Sequence, residues 1–246
     1  MKAEECNAIV IGAMDYREAD RIVTLFTLEH GKVRGLARGA RKSRRRFGAS
    51  LELFARLRAS LQLRDGLCAL QDADLVTVYP GIRRDLPRIA LAGYTCELVD
   101  QFLPDGMPNP RLFRLLTTLL EHLDQAEACS SARRFFEVNL LNILGYRPPI
   151  DACPGCGADL AATGGLLAGG GLHAIPCPAC GSGGRTLSPA TVHLLRTSLR
   201  TGRFGVVRFP ADLLAEAGEL LDRAIASHLH RPIKSLAFLR EMDRPV

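Results

Sequence analysis

A chain of 246 residues with a net charge of +6 is long enough for two modest domains. Its 47% hydrophobic content is ordinary for a globular protein, and no apolar run approaches the roughly 20 residues of a membrane helix, which excludes such a span. Trp is absent and aromatics make up 6%, so an aromatic surface for stacking bases is expected to be sparse.

The first 80 residues read as β-rich. Residues 8–11 form a short apolar strand, residues 21–27 a second and residues 31–38 a third with partial alternation. Residues 51–64 read as a long fourth strand, with Leu51, Leu53, Leu57, Leu61 and Leu63 on one parity and Arg56, Arg58, Gln62 and Arg64 on the other. A helical reading of that segment stays open, because Leu and Arg are good helix formers. Asp65-Gly66 is a hairpin signal, and residues 67–78 are the fifth strand. Five strands in this length suggest a small barrel of the oligonucleotide-binding type.

Tyr79-Pro80-Gly81 breaks the pattern and sets the expected boundary: a barrel over 1–79 and a helical domain over 80–246. Asp85 caps a helix to about Phe102, and Asn109-Pro110 places a cap and an N1 proline before a broad Leu-rich face. Ser130 or Ser131 caps the next helix, which ends at Gly145. Ser188-Pro189 opens another that closes near Gly202, Ala211 to His230 is longer, and Pro232 interrupts before a short terminal helix to Met242.

Charge is concentrated. From His30 to Leu51 there are eight cations and no acid: Lys32, Arg34, Arg38, Arg41, Lys42, Arg44, Arg45 and Arg46. The other residues of the first 80 hold six bases against ten acids. Such a run repels itself unless a polyanion relieves it, so these eight are the candidate DNA-binding residues. The plainer reading is a solvated loop. Phe47 is the only aromatic in the run, which argues against sequence-specific readout.

In the helical half, Cys153-Pro-Gly-Cys156 and Cys177-Pro-Ala-Cys180 are two knuckles with twenty residues between them. A C-x2-C turn offers two thiolates to one ion, and two turns complete the tetrahedral four-sulfur set that Zn2+ prefers. Cys153, Cys156, Cys177 and Cys180 are therefore read as ligands of one structural zinc, in an element at about 150–185. Two disulfides or an iron–sulfur cluster are the alternatives. Cys6, Cys68, Cys96 and Cys129 read as small buried hydrophobes.

Other motifs carry little. Gly35-x3-Gly39-Ala-Arg-Lys42-Ser43 has the wrong spacing for a phosphate loop, and the Gly169–Ala174 glycine run lacks a βαβ context and reads as a hairpin tip. No His pairs with a carboxylate in a catalytic pattern, so catalytic residues are expected to be none and the protein is not expected to be an enzyme. The Met1–Cys6 segment carries two acids and no apolar core, which points to the cytoplasm.

Several segments resemble the RecO family of bacterial DNA repair and recombination mediators. They are Asp20–Thr27, Gly31–Val33, Gly39–Ser43, Tyr79-Pro80, Tyr94–Leu98, Phe136–Leu141, Leu144–Pro148 ahead of Cys153, and Pro232–Leu236. The Arg44–Arg46 triplet and the long Gly-rich hairpin depart from the pattern. The resemblance implies an α+β protein: an N-terminal five-stranded oligonucleotide-binding barrel, then a helical domain with an inserted four-cysteine zinc element. It implies binding of single- and double-stranded DNA, strand annealing in the cytoplasm at the nucleoid, and help in loading RecA. Partners would be RecR and the acidic C-terminal tail of single-strand-binding protein, for which Arg133 or Arg134 could supply a cation. An RNA- or ribosome-associated zinc protein is the rival reading.

Overall fold

A computed structural model describes residues 3–43, 47, 50–64, 66–167, 174–229 and 231–242. The N-terminal strands are β1 (Glu4–Tyr16), β2 (Asp20–Thr27), β3 (Gly31–Ala37), β4 (Arg56–Gln62) and β5 (Leu67–Thr77). They close a barrel in the order β1-β2-β3-β5-β4, with β4 returning to β1. The β3–β5 pair is parallel and the others antiparallel. Closure leaves no free sheet edge, and this five-strand arrangement is oligonucleotide-binding-like.

The barrel interior follows from the period-2 pattern. Ala8 and Val10 of β1, Val23 and Leu25 of β2, and Leu57, Ala59 and Leu61 of β4 all point inward and are fully buried. The fourth strand is shorter than the leucine alternation predicts. Residues 51–54 turn rather than extend the strand, although Phe54 N–H still donates to the Val10 carbonyl of β1 at 2.9 Å, and Phe54 has φ +71°. Leu51 and Ala55 still reach the core, with Phe47, whereas Leu53 is exposed. The alternation ran through a turn that closes one end of the barrel.

The helices are α1 (Pro80–Arg83), α2 (Leu86–Phe102), α3 (Pro110–Gln125), α4 (Ser130–Leu144), α5 (Leu160–Thr163), α6 (Pro189–Thr201), α7 (Ala211–Ala226) and α8 (Ser235–Met242); the short strands β6 (Gly165–Leu167) and β7 (Arg185–Leu187) pair between α5 and α6. The caps at Asp85, Asn109 and Ser188 form as expected, each side-chain oxygen accepting a first-turn N–H. At α4 the cap is Cys129, without a side-chain bond, and Cys129 is exposed rather than buried. The Ser131 hydroxyl instead accepts from Phe209 N–H at 3.0 Å. Helix α7 stops at Ala226, four residues before His230.

Two compact units result: Met1–Glu127 with Arg231–Val246, and Ala128–His230. In the first, α1, α2, α3 and α8 group with the barrel. Glu97 of α2 ties α8 in place, its carboxylate accepting Lys234 N–H at 2.9 Å, Ser235 N–H at 2.8 Å and the Ser235 hydroxyl at 2.6 Å. The segment joining α2 to α3 lies along β3, with Gly106 N–H donating to Lys32 C=O at 2.9 Å. Gly31, at φ +68°, permits this approach: a Cβ there would sit 2.2 Å from the Met107 carbonyl oxygen.

Candidate nucleic-acid interface and metal centre

Register decides which outward residues of the barrel meet solvent. The row Ile9–Phe26–Lys32 runs across β1, β2 and β3. It is buried: Phe26 meets Phe113 of α3 edge-on at 5.5 Å, and Lys32 turns toward α2. Further along the strands the helices no longer cover the sheet. There Gly12, Thr24, Arg34 and Leu67 form one row, and Met14, Ile22 and Leu36 form the next. Met14, Arg34 and Leu67 are exposed.

Two grooves of about 480 and 520 Å3 meet at Arg34, Gly66 and Asp105. Met14, Ile22 and Leu67 wall the first, while His30 and Arg64 belong to the second. The exposed Arg34 therefore stands between an apolar shelf and a polar channel. Arg38, Arg41 and Lys42 follow β3 in the chain and are all exposed. Arg41 leans on Asp15 at 3.9 Å and on the Glu18 carbonyl at 3.3 Å. Arg44, Arg45 and Arg46 lie outside the described residues.

Lys32 is set apart from that group. It is 6% exposed, and its ammonium lies 3.2 Å from the Asp100 carboxylate and 3.3 Å from that of Asp105. Sequence reasoning missed Arg17, at the β1–β2 turn, and Arg64, at the β4–β5 turn. Both turns border the outer face that such barrels use for oligonucleotides. Only the turn signal at residues 65–66 pointed there.

The four knuckle cysteines converge in the second unit. Their sulfurs all lie within 4.8 Å of one another, and Cys156 Sγ is 3.7 Å from Cys177 Sγ. A tetrahedron of Zn–S bonds of about 2.3 Å has edges of about 3.8 Å, so donor set and spacing fit a metal ion, and zinc in particular. Cys153 and Cys177 are buried while Cys156 and Cys180 face solvent. Cys177 N–H donates to Cys153 Sγ at 3.3 Å. That bond first, with help from the N–H groups of Cys156 and Gly155, holds the Cys153 thiol down at about 6.

Cys180 moves the other way. The crowding sulfurs of Cys156, Cys177 and Cys153 push it up to about 12. Four thiolates this close repel, and a bound dication is what would let all four ionise. Gly155 makes room for the packing, since a Cβ there would meet Cys180 Sγ at 3.3 Å. Arg196 of α6 braces the first knuckle through Asp159 at 2.7 Å and Asp151 at 3.4 Å. Of the predicted hairpin tip, 169–174, all but the last residue lie outside the described residues.

Arg133 and Arg134 are drawn inward on α4. Arg133 Nε lies 2.8 Å from Glu137, and Arg134 Nη1 lies 2.7 Å from Glu137 and 2.6 Å from Asp222 of α7. Arg133 Nη2 reaches the same Asp222 oxygen at 3.2 Å. Two cations and two anions balance, with Glu137 fully buried. Burial disfavours the Arg134 charge, yet Glu137 and Asp222 outweigh it and hold its pKa above the ordinary value. Both guanidiniums are thus engaged inside the unit rather than offered at its surface.

Comparison with known proteins adds an independent finding. The family model described as Recombination protein O N terminal matches residues 1–79, and Recombination protein O C terminal matches residues 83–237. The DNA repair protein RecO of Geobacter sulfurreducens is 60% identical over 237 residues, 96% of this chain and 97% of that protein. The DNA repair protein RecO of Geobacter metallireducens is 56% identical over 243 residues, covering 99% of each. That of Pelobacter propionicus is 49% identical over 244 residues, covering 99% of this chain and 98% of that protein.

Proposed function

The chain belongs to the RecO family, and from that membership we propose that it is a non-enzymatic mediator of recombinational DNA repair. In this reading it binds single- and double-stranded DNA, anneals complementary strands and, with RecR, helps load RecA onto strands coated by single-strand-binding protein. The observation that carries the reading is the open barrel face, where Arg34 lines the groove and Arg38, Arg41 and Lys42, which follow it in the chain, are also exposed.

Annealing asks a protein to screen two polyanions while leaving base edges free to pair. Guanidinium and ammonium groups along a barrel edge do this through phosphates, which carry no sequence information. Cys153, Cys156, Cys177 and Cys180 would hold one zinc ion. Bound there, it supplies a crosslink that fixes the knuckle fold and no chemistry on DNA.

The test is annealing of complementary oligonucleotides coated with single-strand-binding protein, with and without that protein's last tail residues and without ATP. Tail-dependent annealing is the expected result. A folded, metal-loaded protein that fails to anneal would overturn the reading; preference for structured RNA would replace it.

A further inference from the structure

The tip of the β1–β2 hairpin carries a second kind of contact surface. Tyr16, the last residue of β1, is 37% exposed, while Phe26, Phe47, Phe54 and Tyr79 of the same region are buried. It is therefore the one exposed aromatic between residues 3 and 79. Its neighbour Arg17 places its guanidinium carbon 5.1 Å from the Tyr16 ring centroid. Arg17, in the hairpin turn, takes φ +56°, a left-handed conformation uncommon for a residue with a Cβ. Strain of this kind gathers at binding sites.

The strand register connects this pair to the groove. Met14 pairs with Ile22 and Tyr16 with Asp20, so Tyr16 and Met14 project from the same face of β1. Going along that face one meets Tyr16, then Met14 and Ile22, then Leu67 beside Arg34. Met14 is 60% exposed and Leu67 40%. An apolar strip of this kind, left open beside arginines, is unusual on a soluble barrel unless something covers it. The arginines Arg17, Arg34 and Arg64 along its border call for a polyanion, and the strip calls for flat, apolar faces. A single strand of DNA offers both, with unstacked bases on one side and phosphates on the other.

We propose that Tyr16, braced by Arg17, and the shelf of Met14, Ile22 and Leu67 form a base-stacking platform for single-stranded DNA. The inference rests on the DNA-binding reading above and deepens it: the barrel grips single strands by base faces as well as by phosphates. The guanidinium of Arg17 lies over one face of the tyrosine ring, and the base would stack on the other. In a duplex the bases are already stacked, so the platform adds nothing there. The barrel consequently distinguishes single strands from duplex without reading sequence, because every base has a π-face.

The test compares Tyr16→Ala and Tyr16→Phe with the unmodified full chain. A mixed-sequence single-stranded oligonucleotide and its duplex are titrated at several salt concentrations. Stacking of one base is worth roughly 1–3 kcal/mol, so Tyr16→Ala should weaken single-strand binding by about 5- to 150-fold. Duplex affinity and the salt slope should stay as they were, and Tyr16→Phe should bind like the unmodified chain. Equal single-strand affinity in Tyr16→Ala, or an equal loss on both substrates, overturns the platform while leaving the DNA-binding reading intact. An unmodified chain that binds neither substrate overturns both. Should Tyr16→Ala not fold, photocrosslinking of a 5-iodouracil-substituted strand to the unmodified chain decides, with adducts expected at Tyr16 and their absence there counting against the platform.

Discussion

Lys32 Nζ sits 3.2 Å from the Asp100 carboxylate and donates to the Asp100 carbonyl at 2.5 Å, tying β3 to α2. A cation that opens a run of eight basic residues over 32–46 is thus part of the scaffold, whereas Arg34, two residues on, faces solvent. The two positions are expected to separate in experiment. Lys32→Ala should lower unfolding stability by about 1–3 kcal/mol, because it leaves Asp100 half-buried without its partner. It should leave the salt dependence of single-strand binding unchanged. Arg34→Ala should do the reverse, keeping stability and reducing the log–log salt slope by about 0.7, the value of one lost phosphate contact. Chemical denaturation and anisotropy titrations over a salt series check both.

The metal centre makes a sharper demand on the second unit. Tetrahedral zinc in small domains binds with apparent free energies of about 10 kcal/mol or more, so removal should unfold the element outright. One zinc per chain is expected by native mass spectrometry, with four sulfurs at about 2.3 Å by X-ray absorption. Chelation, or Cys177→Ser at a buried ligand, should abolish amide protection in β6 and β7. Barrel binding to DNA should persist. Iron in the purified protein, or a chelator-resistant element, would replace the zinc assignment.

What was legible in the sequence was the part encoded locally. The knuckles were readable because C-x2-C spacing is itself the coordination geometry. Asp85 and Asn109 were readable because a cap and the proline beside it sit within three residues. The misreadings arose where distant chain decides the outcome. Alternation marks Lys32 as outward but does not say that Asp100, 68 residues later, will lie over it. Glu137 is visible one turn from Arg133, yet Asp222 comes from 89 residues away to complete the balance. Leu51 and Leu53 kept the strand parity through a turn that Phe54 makes with a positive φ. Tyr16 was lost in a composition that counted aromatics without asking which one stands at a hairpin tip.

The buried quartet on α4 and α7 predicts an asymmetric mutational response. Glu137→Ala leaves two buried guanidiniums against one half-exposed carboxylate and should cost about 3–5 kcal/mol. Gly218→Ala should also destabilise, although alanine is the better helix former by about 1 kcal/mol. Its Cβ would lie 2.6 Å from Arg134 Nη2, and that guanidinium is held by Glu137 and Asp222 and cannot easily swing away. Thermal unfolding of both variants tests this; a stabilised Gly218→Ala protein would show that the quartet yields.

The Glu97 clasp gives the first unit a pH dependence. Burial pushes the Glu97 carboxyl upward, but the bonds from Ser235, Lys234 and Gln101 together outweigh it, and the group titrates below its ordinary 4.5. A folded-state value below the unfolded one means the stabilisation is complete above about 4.5 and fades as pH falls through the lower folded value. Protonation removes the negative charge that caps the first N–H groups of α8, a helix of eight residues with little intrinsic stability. Acidification should therefore release α8 before the closed barrel opens. Hydrogen exchange, corrected for intrinsic rates, should show residues 235–242 losing protection at a higher pH than β1 to β5. Glu97→Ala should abolish that early step by detaching α8 at every pH, at a cost of about 1–2 kcal/mol. Simultaneous loss of protection in α8 and the barrel would show that the clasp does not hold the helix by itself.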